Sequence, residues 1–203
     1  MGNNNIGLFF GTFNPIHVGH LILANYMAQL DHIDQVWLVV TPKNPFKEKD
    51  TLLDDIHRLA LVREAVDQNP LLQASNIEFD LPQPNYTVNT LAVLSEKYPE
   101  KNFSLIMGED NLRSFHKWKN YQVILDHYQV LVYPRVYTQN EMTDRPQVIE
   151  EFLNHPKIEL IDAPLMKISS STIRNMIADG KDVRYMLSPE VHQYVDEMNF
   201  YKK

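Results

Sequence analysis

Three features of the 203-residue sequence predict an α/β fold, a doubly wound parallel sheet with helices on both faces in the Rossmann-like manner. Short apolar runs bounded by turn residues recur along the chain, segments of helical spacing lie between them, and no linker, repeat or low-complexity tract interrupts the alternation. Runs that are apolar throughout suit strands buried on both faces, which is what a parallel sheet covered by helices requires. At this length one core suffices, so a single domain over residues 1–203 is expected.

The apolar runs at residues 6–10, 36–40, 77–79, 103–107, 130–133 and 158–161 each read as a strand. The first ends at Gly11 and Thr12. The turn signal Asn14-Pro15 and the apolar-periodic segment 21–30 follow, so a helix should begin near Ile16. Residues 41–51 and 80–86, rich in Pro, Asn and Lys or Gln, read as loops after strands. Residues 54–68 give the clearest helix, with Ile56, Leu59, Val62 and Val66 in one stripe opposite Arg58, Arg63 and Asp67. Thr87–Lys97, 147–154, Ser170–Ala178 and 189–199 complete the expected helices, and Tyr201-Lys202-Lys203 reads as a frayed end.

Sheets of this kind bind ligands beyond the carboxyl ends of their strands, at the point where strand order reverses. That is where the first strand delivers Gly11 and Thr12. His17 and His20, three apart, share one face of the following helix near its N-terminus, whose free N–H groups and positive dipole end favour anions. An isolated histidine on a helix is more often structural. Here a glycine turn, Asn-Pro and paired imidazoles coincide directly after a strand, and together they would face one phosphate group.

A second cluster, Ser169-Ser170-Ser171-Thr172 with Arg174, opens a helix. It is an ordinary capping run by composition, yet it also gathers amides, hydroxyls and a guanidinium into an anion site. A third feature is Gly108, which marks a tight strand-to-helix turn and leaves Asp110 at a strand's carboxyl end, able to accept ribose hydroxyls or to cap the helix.

Bulk properties narrow the function. A formal net charge of −7 with scattered Lys and Arg argues against tracking a nucleic-acid backbone. The absence of cysteine removes thiol nucleophiles and Cys-ligated metals. No apolar run approaches membrane-spanning length, the N-terminus lacks a signal-like core, and Ile6 stands where a myristoylation pattern wants Ser or Thr. A soluble cytoplasmic protein without a membrane partner is expected; the oligomeric state, a homo-oligomer included, stays open.

The stretch Gly11 to His20 closely resembles the G-x-F-x-P-x-H-x-G-H motif of the nucleotidyltransferase superfamily, with Asn14 where many relatives carry Asp. Ile168 to Arg174 resembles the I-S-S-T-x-I-R motif of bacterial nicotinate-nucleotide adenylyltransferases, Ser171 standing in for Thr. The G-x-D of residues 108–110 with Trp118 and Ile124 further on, and Tyr86-Thr87-Val88-Asn89-Thr90-Leu91 against Y-T-x-x-T-L, follow the same family in order. Asn44-Pro45-Phe46-Lys47 matches its P-H-K loop only at Lys47, and Tyr133-Pro134-Arg135 departs from its R-P-G.

The resemblance implies transfer of an adenylyl group from ATP to nicotinate mononucleotide, giving deamido-NAD and pyrophosphate. His17, His20 and Arg174 would be catalytic. Gly11, Thr12, Phe13, Lys47, Gly108, Asp110, Ser169 and Ser170 would bind ATP and its phosphates, and Thr87 and Trp118 the nicotinate nucleotide. Mg²⁺ would accompany the triphosphate, with no dedicated protein metal site. Alternatives left open are a nicotinamide-mononucleotide or phosphopantetheine adenylyltransferase and, from another class, a catalytically silent nucleotide-binding regulator.

Overall fold

The computed structural model describes residues 4–42, 52–136 and 150–203. Six parallel strands form one sheet in the order β3-β2-β1-β4-β5-β6: β1 (Asn5–Gly11), β2 (Gln35–Val40), β3 (Leu72–Ser75), β4 (Asn102–Gly108), β5 (Gln129–Tyr133) and β6 (Ile158–Leu160). The chain starts in the middle, winds outward through β2 and β3, then returns to β4 on the other side of β1. The order therefore reverses between β1 and β4, and the crevice above their carboxyl ends is the place for a ligand. Register keeps those ends level, with Gly11 beside Val40 and Gly108 beside Tyr133.

Alternate residues of the central strands feed two cores. Ile6 and Leu8 of β1 join Trp37, Val39, Leu105 and Met107 on one face, under α3 (Thr87–Lys97) and α5 (Tyr121–His127). Phe9 joins Leu38, Val40 and Ile106 on the other, against α1 (Val18–Met27), α2 (Asp55–Val66), α7 (Ser170–Ala178) and α8 (Pro189–Glu197). The short helices α4 (Glu109–Ser114) and α6 (Glu150–Leu153) complete the α-helices among the described residues, beside two 3-10 turns, Ile77–Asp80 and Phe115–Lys117. With apolar side chains on both faces the central strands tolerate no polar alternation, which is why their sequences are continuous apolar runs.

The expected parallel α/β architecture is present, with two local corrections. Residues 77–79 are not a strand: Ile77–Asp80 is a 3-10 turn, and the strand is the less apolar Leu72–Ser75 just before it. That strand is an edge paired only with β2, so it needs little apolar sequence. Glu78 turns inward, where its Oε1 accepts the Thr90 hydroxyl at 2.8 Å.

The second correction concerns α2. Ile56, assigned to the apolar stripe, is 64% exposed, whereas Arg58, assigned to the opposite face, is 0% exposed. Its guanidinium donates to the carbonyls of Leu53 (3.0 Å), Thr12 (2.6 Å) and Thr41 (2.7 Å) and pairs with Asp55. A buried charge is tolerated only when its donors are satisfied in this way. The arginine thereby ties the ends of β1 and β2 to the start of α2.

Candidate active site

The first wall of the crevice is the corner between β1 and α1. Phe13 takes a left-handed backbone (φ 45) and buries its ring edge-on against Phe9 and His20, with ring centroids 5.9 and 5.1 Å away. Such a backbone in a bulky residue persists only where the surroundings over-determine it. His17 is the extended residue just before α1 rather than its first helical residue, and His20 lies one turn in. Their rings stack with centroids 3.7 Å apart. Gly19 permits this close packing: a Cβ there would come within 2.4 Å of an Ile168 methyl and 3.1 Å of the His17 ring.

The backbone N–H of His17 donates to His20 Nδ1 at 3.3 Å. A nitrogen that accepts carries no proton, so the neutral His20 ring holds its hydrogen on Nε2. Burial pushes the His17 pKa down from 6.5 to about 4. It also holds His20 well below its ordinary value, with the neighbouring His17 adding to the effect. Both imidazoles are therefore neutral near pH 7, and His17 Nδ1 is buried without a hydrogen-bond partner. The N–H at His20 Nε2 is then the imidazole donor whose hydrogen bond an incoming phosphate oxygen could accept.

The second wall is the start of α7. Ser169 caps it, its Oγ accepting the Thr172 N–H at 3.2 Å. Ser170 Oγ donates to Pro15 O at 2.9 Å, and Arg174 donates to Asn14 O at 2.7 Å and to Ser171 Oγ at 3.2 Å. These bonds join the two walls directly, across more than 150 residues of chain. Between them lies a cleft of about 400 Å³ lined by Thr12, His17, His20, Ser169, Ser170 and Arg174, together with Asp110 and Tyr133.

The floor comes from β4 and β5. Gly108 has no room for a side chain, since a Cβ would lie 2.4 Å from Asp110 Oδ1. The other carboxylate oxygen of Asp110 pairs with Arg135, at the cleft's rim. Burial, reinforced by Asp110, pushes the Tyr133 pKa up to about 12, so its hydroxyl stays a donor.

Of the residues singled out in the sequence, Thr12, His17, His20, Asp110, Ser169, Ser170 and Arg174 line this one cleft. Phe13 is 1% exposed and braces His20 from behind, leaving only its backbone to meet a ligand. Gly11 sits beneath the Phe13 ring, where a Cβ would be 2.9 Å from it. Thr87 and Trp118 lie outside the cleft: Thr87 is the first residue of α3, and Trp118 packs edge-on against Phe115 at 5.3 Å. Their neighbourhoods nevertheless meet, because the Lys119 ammonium sits 4.3 Å over the Tyr86 ring. Lys47 falls outside the described residues.

Ile168, Tyr133 and Arg135 stand within the sequence motifs with no role assigned to them there, although all three line the cleft. Tyr201 was taken for a frayed end, yet its hydroxyl donates to Asn14 Oδ1 at 2.7 Å.

Comparison with known proteins gives the family and the fold. Residues 8–176 match the family model described as cytidylyltransferase-like. A protein of Flavobacterium psychrophilum named "Probable nicotinate-nucleotide adenylyltransferase" is 57% identical over 198 residues, 98% of this chain and 99% of that protein. A protein of the same name from Bacteroides fragilis is 41% identical over 96% of this chain and 92% of its own length. Among solved structures, the Plasmodium falciparum nicotinic acid mononucleotide adenylyltransferase complexed with NaAD superposes with a TM-score of 0.76 at 19% identity, over 98% of this chain and 97% of that one, which establishes likeness of fold. The chain belongs to the cytidylyltransferase-like family and, within it, to the group of proteins named nicotinate-nucleotide adenylyltransferases.

Proposed function

We propose that this protein transfers the adenylyl group of ATP to nicotinate mononucleotide, releasing pyrophosphate and forming deamido-NAD. One observation carries the reading: a neutral imidazole pair and a serine-capped arginine helix line opposite walls of one cleft at the reversal point of the sheet. The mononucleotide phosphate oxygen attacks the α-phosphorus in line. The new P–O bond forms as the α–β bridging bond breaks, and its electron pair leaves with pyrophosphate. No side-chain nucleophile is required, so the protein's work is positioning and neutralising charge.

In this mechanism His20 donates its Nε2–H to an α-phosphate oxygen. His17 and the backbone of Gly11, Thr12 and Phe13 help hold that phosphate. Ser169, Ser170, Arg174 and Lys47 hold the outer phosphates, which become the leaving group. Asp110, above Gly108, takes ribose hydroxyls. Thr87 and Trp118 serve the nicotinate nucleotide, Trp118 by stacking on its ring. The residue set fits Mg²⁺ carried by the triphosphate rather than by a protein cage. No cluster of three or more His, Asp or Glu side chains suited to a metal occurs among the described residues, and Asp110 already pairs with Arg135. When bound, Mg²⁺ neutralises phosphate charge.

We read the chain as one nucleotidyltransferase domain that meets its small substrates in the cytoplasm. No helix among the described residues is long and apolar enough to cross a membrane. The test is pyrophosphate release with ATP and nicotinate mononucleotide, run beside nicotinamide mononucleotide and phosphopantetheine. A site that contacts the carboxylate should favour the acid over the amide by more than about 100-fold in kcat/KM. Equal rates with acid and amide would refute the acid specificity, and no turnover with any acceptor would leave a nucleotide-binding regulator.

A further inference from the structure

The end of the chain returns to the active-site corner. After α8 the backbone enters the left-handed region at Asn199 (φ 53) and again at Tyr201 (φ 64), a conformation that costs a bulky residue and so needs compensating contacts. Phe200 between them packs on His57 and Tyr194 of the neighbouring helices, with ring centroids 5.0 and 5.9 Å away. The two reversals carry the Tyr201 hydroxyl to Asn14 Oδ1, 2.7 Å away.

Asn14 is 4% exposed and is where the active-site loop is held from three sides. Its Oδ1 accepts the Leu53 N–H at 3.2 Å as well as the tyrosine hydroxyl, while its carbonyl accepts Arg174. It stands three residues before His17. Asparagine and aspartate both offer the acceptor oxygen that this arrangement uses. Burial raises the Tyr201 pKa far above neutrality, so the hydroxyl is a donor throughout the working range.

We propose that Tyr201 is a positioning residue of the adenylyl-transfer site: through its bond to Asn14, the last turn of the chain fixes the loop that presents His17 and His20 to the triphosphate. This rests on the function proposed above. Packing alone could account for Phe200, but it does not require a hydroxyl on the next residue, directed at the buried amide of the loop. A shift of a fraction of an ångström in a positioned group is enough to slow transfer, because the rate depends on alignment.

Tyr201→Phe removes only that hydroxyl. Tyr194→Phe is the matched control: it also removes a partly buried hydroxyl of the same region, one facing His57 Nδ1 at 3.3 Å. In the full chain, Tyr201→Phe should lower kcat about tenfold, with KM for ATP and nicotinate mononucleotide changed less than about twofold. Tyr194→Phe should keep the wild-type kcat, and the two should lower the melting temperature alike. Hydrogen exchange of the ligand-free protein supplies a readout independent of turnover: Tyr201→Phe should speed exchange of the His20 and Leu21 amides about tenfold, and Tyr194→Phe should not. Unchanged exchange in Tyr201→Phe, wild-type kcat in that variant, or equal loss of kcat in both variants overturns the proposal. Faster exchange in Tyr201→Phe with a wild type that forms no deamido-NAD would instead overturn the proposed reaction.

Discussion

The two walls of the cleft are built differently. The imidazole wall is rigid: His17 and His20 stack on each other, Phe13 buttresses His20, and from behind Arg58 holds the Thr12 carbonyl and Tyr201 the Asn14 side chain. The serine–arginine wall is thinly anchored, since Ile173 is the buried residue of α7 and Ser171 and Thr172 face solvent. The contrast matches the parts each would play. Charge that develops at the α-phosphorus needs donors fixed before the reaction, whereas a departing pyrophosphate must be held and then released.

Substitutions on the two walls should therefore fail in different ways. His20→Ala should lower kcat by about 10³-fold while KM for ATP moves less than about twofold, as loss of a transition-state donor does. Arg174→Ala should give a mixed pattern, with kcat lowered and KM for ATP raised by about tenfold each, since a charge that holds the ground-state triphosphate is lost. Steady-state kinetics over a range of ATP concentrations checks both. Identical patterns in the two variants would break the comparison.

A smaller effect sharpens it through pH. In the unfolded chain His17 takes up a proton near its ordinary pKa of 6.5; in the folded protein it does so only near 4. Between these values the unfolded state binds more protons, so stability is full above about pH 6.5 and is lost as pH falls toward 4. The loss from His17 is at most on the order of 3 kcal/mol, and His20 acts in the same direction. Thermal unfolding between pH 7.5 and 4.5 should show the decline, and His17→Asn should flatten it. The serine–arginine wall, which has no histidine, should contribute nothing to that slope.

The sheet and the corner that brings His17 and His20 together were legible because local sequence dictates them. A doubly buried strand must be apolar, a tight strand-to-helix turn must have glycine, and His17 and His20 lie close enough in sequence to share a helix terminus. What sequence periodicity misread was decided over long range. Arg58 looks solvent-facing on a helical wheel, yet the carbonyls of Thr12 and Thr41 that satisfy it come from the residues just after β1 and β2. Residues 77–79 look like a strand, but burial of Glu78 against Thr90 of α3 turns them into a helical turn. Tyr201 looks terminal and idle until the fold brings it to Asn14, 187 residues away.

The central claim is that both walls engage one triphosphate, and nuclear magnetic resonance of the side-chain nitrogens tests it most directly. Titration with an ATP analogue carrying a methylene between the α- and β-phosphates should shift the His17, His20 and Arg174 signals along one saturation curve. Signals that saturate at different concentrations, or an Arg174 signal that does not move, would contradict the account.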